Sequence, residues 1–211
     1  MNEKLEFGRT LQDCITIGTK NLPSILLTVL LWLITCWIPY LNVGTTIALI
    51  TLPMKLSRGE VINPTFIFDS VYRHQMGEFF LLAAVWGMGI AIGVLFGWIP
   101  GIVLSLAWSQ AFYLLLDKRL NWAVCLTESN RLTMGYKLKM FLIKFVLGVI
   151  IFIAELFAGL VAYHVPLLGF LLYVALIIVS IGAFIAIDGV FYRELVLKAG
   201  TEQQAPVVYV D

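Results

Sequence analysis

The chain has 211 residues, 61% of them hydrophobic and only 13% charged, with a mean hydropathy of +0.95. Soluble domains run at roughly 45–50% apolar and about 25% charged, so a water-soluble fold is excluded and a bilayer protein is implied. The 14 basic and 13 acidic residues leave a net charge of +1, which excludes a surface built to neutralise nucleic-acid phosphates.

Residues 1–21 mix Glu3, Lys4, Glu6, Arg9, Asp13 and Lys20 with apolar positions. That mixture lacks the short apolar core of a cleaved signal, so the first apolar stretch is expected to stay as a membrane anchor. Cys14, Cys36 and Cys125 form no paired motif and no ligand set with His74 and His164, so no disulfide, metal or cofactor is expected.

Three apolar stretches follow, Leu22 to Met54, Phe79 to Leu116 and Met140 to Val190. Each is too long for one crossing at about 1.5 Å per residue through roughly 30 Å of hydrocarbon, so each should be a pair. Each has a proline in a turn-like tip: Trp37-Ile38-Pro39-Tyr40-Leu41-Asn42, Trp98-Ile99-Pro100-Gly101 and His164-Val165-Pro166-Leu167-Leu168-Gly169. Proline removes a donor, glycine loosens the chain, and Trp favours the headgroup boundary. The spacing predicts spans at about 22–38, 41–56, 79–98, 100–116, 140–163 and 167–190.

Basic residues test this division, because cytoplasmic loops collect Lys and Arg. With six spans all 14 fall on one face, Lys144 needing only to snorkel down about one turn. Both termini are therefore expected in the cytoplasm and the three tips outside.

The segments before the hairpins resemble one another. Residues 5–21, 63–77 and 121–136 carry apolar side chains at helical spacing: Phe7, Leu11, Cys14, Ile15; Ile67, Phe68, Val71, Tyr72; Trp122, Cys125, Leu126. Each contains an acid followed by a small residue (Asp13-Cys14, Asp69-Ser70, Glu128-Ser129) and then Asn21, Gly77 or Gly135 before the apolar rise. Asn63-Pro64 and Asn121-Trp122 read as helix starts. The expected fold is an all-α integral membrane protein of six transmembrane helices in three hairpins, each preceded by an amphipathic surface helix. Residues 1–198 form one polytopic domain of three repeats (about 5–58, 63–119 and 121–195), and 199–211 a flexible cytoplasmic tail.

The segment Thr127-Glu128-Ser129-Asn130-Arg131-Leu132-Thr133-Met134-Gly135 resembles the bacterial multi-pass families related to the membrane domain of some glycerophosphodiester phosphodiesterases. The resemblance implies the fold and a bacterial inner membrane rather than an activity, and the 211 residues contain no phosphodiesterase domain.

Acids inside hydrocarbon are costly and often functional. Glu155 lies about 15 residues into the fifth span, roughly 22 Å from its cytoplasmic end, with His164 as the expected partner. The pair is read either as a proton, cation or substrate site or as a bland interfacial carboxyl. Asp188, near the inner boundary and followed by Arg193, reads as a structural ion pair or interfacial acid. Gly89, Gly93, Gly97 and Gly101 form a four-residue stripe expected to serve helix packing. Asp69 with Arg73 and Glu128 with Arg131 are expected helix-surface pairs. No catalytic residue is recognisable, since Ser70, Ser129 and Cys14 have no placed base.

Two functions follow from these features. The first is a non-catalytic accessory or regulatory module of a membrane assembly, with membrane lipids and a membrane protein as partners and no nucleic acid. The second is a small transporter or lipid-handling protein using Glu155.

Overall fold

The structure is a computed structural model that describes residues 5–59 and 62–198. The expected tail, residues 199–211, lies outside the described residues. These contain helices and turns only, with no strand among them.

The first helix, α1 (Phe7–Lys20), and α2 (Leu22–Thr35) meet at 66°. Pro23 causes the bend: it has no N–H to continue the ladder, and its ring meets the carbonyl one turn earlier. A tip at Cys36–Tyr40 leads into α3 (Leu41–Ile50) and then α4 (Leu52–Ser57), which Pro53 separates in the same way. Two 3₁₀ turns follow, Pro64–Phe68 and Ser70–Gln75. Asn63 caps the first by accepting from the Thr65 N–H at 3.2 Å, and Asp69 caps the second by accepting from the Val71 N–H at 3.1 Å.

The chain then runs through α5 (Met76–Leu95), α6 (Trp98–Ala107), α7 (Ala111–Lys118), α8 (Trp122–Thr133), α9 (Lys137–His164) and α10 (Pro166–Tyr192), which ends in a π turn at Arg193–Leu197. Asn121 caps α8 as expected, accepting from the Ala123 N–H at 3.0 Å.

Four helical stretches, 70–95, 98–118, 137–164 and 166–197, are long and apolar enough to cross a membrane, and the bent pair α1–α2 is a fifth candidate. Their outward surfaces carry large apolar side chains such as Phe152, Ile153, Phe157, Leu160, Phe170 and Leu171. A contiguous apolar surface of this extent belongs in lipid, where helices satisfy their own backbone groups. The protein is therefore all-helical and membrane-embedded.

The first two expected spans come out short. Helix α2 has 14 residues, about 21 Å of rise against roughly 30 Å of hydrocarbon, and the expected span 41–56 is cut at Thr51. Arg73 also packs on their tip. Its guanidinium lies 5.8 Å from the Tyr40 ring centroid, and its stem fills the space beside Gly44. Arg73 precedes α5 and Trp98 follows it, so the first two tips sit at opposite ends of α5.

The expected surface helices are also revised. Residues 64–75 form 3₁₀ turns rather than an α-helix. The apolar faces of all three segments turn partly into the protein: Cys14, Ile67, Cys125 and Leu126 are buried against neighbouring helices. The Met-Gly pairs differ as well, since Gly135 ends α8 with φ +82° while Gly77 is an ordinary residue of α5.

The core sits where α10 meets α1, α4, α7, α8 and α9. Bare backbones permit these approaches. A Cβ on Gly189 would lie 2.5 Å from the Pro53 carbonyl oxygen, and one on Gly18 would lie 3.2 Å from that of Gly182. Ionic contacts cluster at the same end of α10. Asp117 takes Arg58 and the Tyr192 hydroxyl, Arg193 takes Asp13, and Glu194 takes Arg193 at 3.0 Å and Lys198 at 2.5 Å.

Candidate functional site

A cavity of about 740 Å³ lies between α5, α6, α7, α9 and α10, within the usual range for small-molecule sites. Its walls are mainly apolar, from Phe79, Ala83, Trp86, Ile102, Leu106 and Phe112 among others. Two opposite charges enter it, Lys144 from α9 and Asp188 from α10. The Lys144 ammonium is 2.7 Å from Asp188 Oδ1, the distance of a charge-assisted contact, so the two charges are paired with each other. An ammonium has three donors and a carboxylate about four acceptor sites, so both groups keep hydrogen-bonding capacity beyond this one contact. The ammonium also stands 5.8 Å from the Phe191 ring centroid.

Trp86 adds an unused group. Its indole N–H is buried and has no partner among the described residues, while its ring packs edge-on against Phe112 at 5.8 Å. The Ser105 and Ser109 hydroxyls are occupied by their own helix, donating to the Ile102 carbonyl at 2.8 Å and the Leu106 carbonyl at 2.9 Å. A buried donor left unmade costs roughly 1–3 kcal/mol, so Trp86 calls for an acceptor from a ligand or water.

The sequence expectations meet this geometry unevenly. Glu155 is half-buried on α9 and His164 is exposed at the end of the same helix, its ring against Tyr163 at 5.2 Å. Nine residues separate them, about 13–14 Å along the helix and about half a turn out of phase, so α9 does not bring them together. Neither lines the cavity.

The glycine stripe divides at Gly97, whose φ of +131° places it in the turn that starts α6. Gly93 and Gly101 face each other, and a Cβ on Gly93 would lie 3.0 Å from the Gly101 Cα. Gly89 makes room for the Trp108 ring.

Glu128 and Arg131 form the expected pair at 2.6 Å, whereas Asp69 is spent on its cap. Asp188 is paired by Lys144 and not Arg193, because five residues along a helix turn a side chain about 140° away. Lys144 accordingly enters the cavity instead of snorkelling to the boundary.

Ser129 and Cys14, weighed as nucleophiles, are donors to backbone. The Cys14 thiol donates to the Ala183 carbonyl at 3.1 Å. The Ser129 hydroxyl donates to the Ala107 carbonyl at 2.7 Å and accepts from the Gln110 N–H at 3.1 Å. These are two groups that the break between α6 and α7 takes out of the helical ladder. Among the described residues no cluster of His, Cys, Asp and Glu is suited to hold a metal.

Lys144 is the residue that sequence reasoning missed, because counting it as cytoplasmic made the charge map tidy. A signal was present. Lys144 lies 22 residues before Pro166 and Asp188 lies 22 residues after it, and positions equidistant from a tip face each other in an antiparallel helix pair. The cavity and the long apolar helices define an all-helical membrane-embedded protein with an ion pair set into an apolar hollow. Comparisons with protein-family models, curated proteins and solved structures gave no match.

Proposed function

We propose that this protein is a lipid-handling, non-catalytic multi-pass protein of a bacterial inner membrane, holding an amphiphile in the cavity at Lys144 and Asp188. The cavity supports this reading over that of a purely accessory module: an ion pair alone can tie α9 to α10, but a hollow of about 740 Å³ beside it, with the Trp86 N–H unused, offers the apolar wall and polar end that an amphiphile needs together. The kinship with the phosphodiesterase-linked membrane families is part of the same proposal and rests on Thr127–Gly135. The test is lipid retention after gentle solubilisation. Wild type should carry bound lipid, and Ala83→Trp, which projects an indole into the hollow, should lose it. Equal retention by both would refute the reading.

The topology proposed with it has four crossings, α5, α6–α7, α9 and α10, with both termini cytoplasmic. Four crossings keep every basic residue except the cavity's Lys144 on one side, as six would, so the charge rule does not separate the two arrangements. The packing of Arg73 on Tyr40 supports four, because it holds the α2–α3 tip at the cytoplasmic end of α5. Cys36, exposed at that tip, is the natural probe. A membrane-impermeant maleimide should label it only after permeabilisation. Labelling in intact cells would establish the six-span arrangement of three hairpins.

A further inference from the structure

We infer that the cavity takes a zwitterionic phospholipid whose headgroup ends in a primary ammonium, a reading that rests on the lipid-handling function above. The cavity's formal charges are one ammonium and one carboxylate, so they sum to zero. A purely anionic headgroup would draw Lys144 away from Asp188 and leave a half-buried carboxylate among apolar walls without its counter-charge, which is unfavourable. A zwitterion satisfies both: its phosphate oxygens face Lys144 and its ammonium faces Asp188.

Two further features sharpen the match. The Trp86 N–H needs an acceptor that the described residues do not supply, and a phosphate oxygen is one. The Asp188 carboxylate has acceptor sites beyond the one that Lys144 occupies, and a primary ammonium can donate to them whereas a quaternary ammonium cannot.

The chain of the lipid also has a place. A second hollow, of about 400 Å³, runs between α6 and α9 and shares Ile102, Leu106 and Phe141 with the charged cavity. Its other walls are Ile99, Val103, Leu138 and Lys137, whose ammonium is held by Asn130 Oδ1 at 2.7 Å. Polar groups at one end and a continuous apolar path at the other are the two halves of a phospholipid.

The experiment is native mass spectrometry of the full-length protein titrated with phosphatidylethanolamine, phosphatidylcholine and phosphatidylglycerol of identical acyl chains. Wild type should retain phosphatidylethanolamine about tenfold better than either competitor, the scale of one well-made polar contact. Asp188→Asn should turn the preference toward phosphatidylglycerol, since Lys144 is then unopposed. Trp86→Phe keeps the ring and removes the donor, so it should weaken phosphatidylethanolamine severalfold at an unchanged melting profile. It remains informative if Asp188→Asn does not fold. Equal retention of the three lipids by wild type would overturn the headgroup inference and leave the cavity reading standing. Retention of none would overturn both.

Discussion

Ser129 repairs the backbone beside Ala107: one hydroxyl gives its proton to the Ala107 carbonyl and receives the Gln110 N–H, across the gap where α6 stops and α7 begins. Both Ser129 and Gln110 are fully buried, so no water takes over if the hydroxyl is removed. Ser129→Ala should lower stability by about 1–3 kcal/mol, the cost of stranding buried polar groups. A thermal melt in detergent measures it, and an unchanged midpoint would mean that the break is tolerated without the bridge.

Glycines divide into those that hold helices together and those that do not. Gly93→Leu must push α5 off Gly101 and should cost about 1–3 kcal/mol. Gly97→Leu should cost a similar 1–3 kcal/mol for a different reason, since a φ of +131° strains any side chain. Gly148, with open space around its Cβ position, is the control: Gly148→Ala should raise stability by about 0.5–1 kcal/mol through helix propensity. The order of the three melting midpoints decides the matter.

The thiols should react in a fixed order. Cys36 is exposed while Cys14 and Cys125 are buried. Burial, with the negative charge of Glu78 adding to it, pushes the Cys125 thiol up to about 11, so at pH 8 roughly one molecule in a thousand carries its thiolate. In permeabilised membranes a maleimide should modify Cys36 first, and the other two only after denaturation. Counting labels by mass spectrometry with and without denaturant checks this.

The Glu128 carboxyl is held below its usual range, first by its hydrogen bond to Arg131. A depressed folded pKa stabilises above the unfolded value and loses that contribution as pH falls through the folded one. The loss therefore belongs to acid below about pH 4. Because the pair is exposed, Glu128→Gln should cost only about 0.2–1 kcal/mol at pH 7 and nothing once the carboxyl is protonated. Melting midpoints of both proteins at pH 7 and pH 3 should converge.

Glu155 has no hydrogen bond or ion pair among the described residues and lies about 16 Å along α9 from Lys144. Glu155→Leu should leave the melting midpoint unchanged or raise it, because an apolar side chain replaces a charge that nothing compensates. A fall of several degrees would show that the carboxylate has a partner in the membrane.

Composition and apolar run length alone determined that the chain is helical and membrane-embedded, because a bilayer admits few other ways to satisfy a backbone. Local chemistry likewise made the Asn63 and Asn121 caps and the Glu128–Arg131 pair legible, since each is decided within one turn of helix. What run length did not show was how each apolar stretch is cut. Pro23 bends α1 against α2, Pro53 cuts the expected span 41–56, and the break at Trp108–Gln110 has no proline to announce it. Its two freed backbone groups are taken up by Ser129, a residue 19 positions beyond Gln110. The cavity was hidden for the same reason. Lys144 and Asp188 each look like a boundary charge on their own helix, and only the antiparallel packing of α9 on α10 places them 2.7 Å apart. Side-chain identity is read along the chain, whereas a site is made by which helix faces meet. That is settled by where small residues such as Gly169, Gly182 and Gly189 let backbones approach.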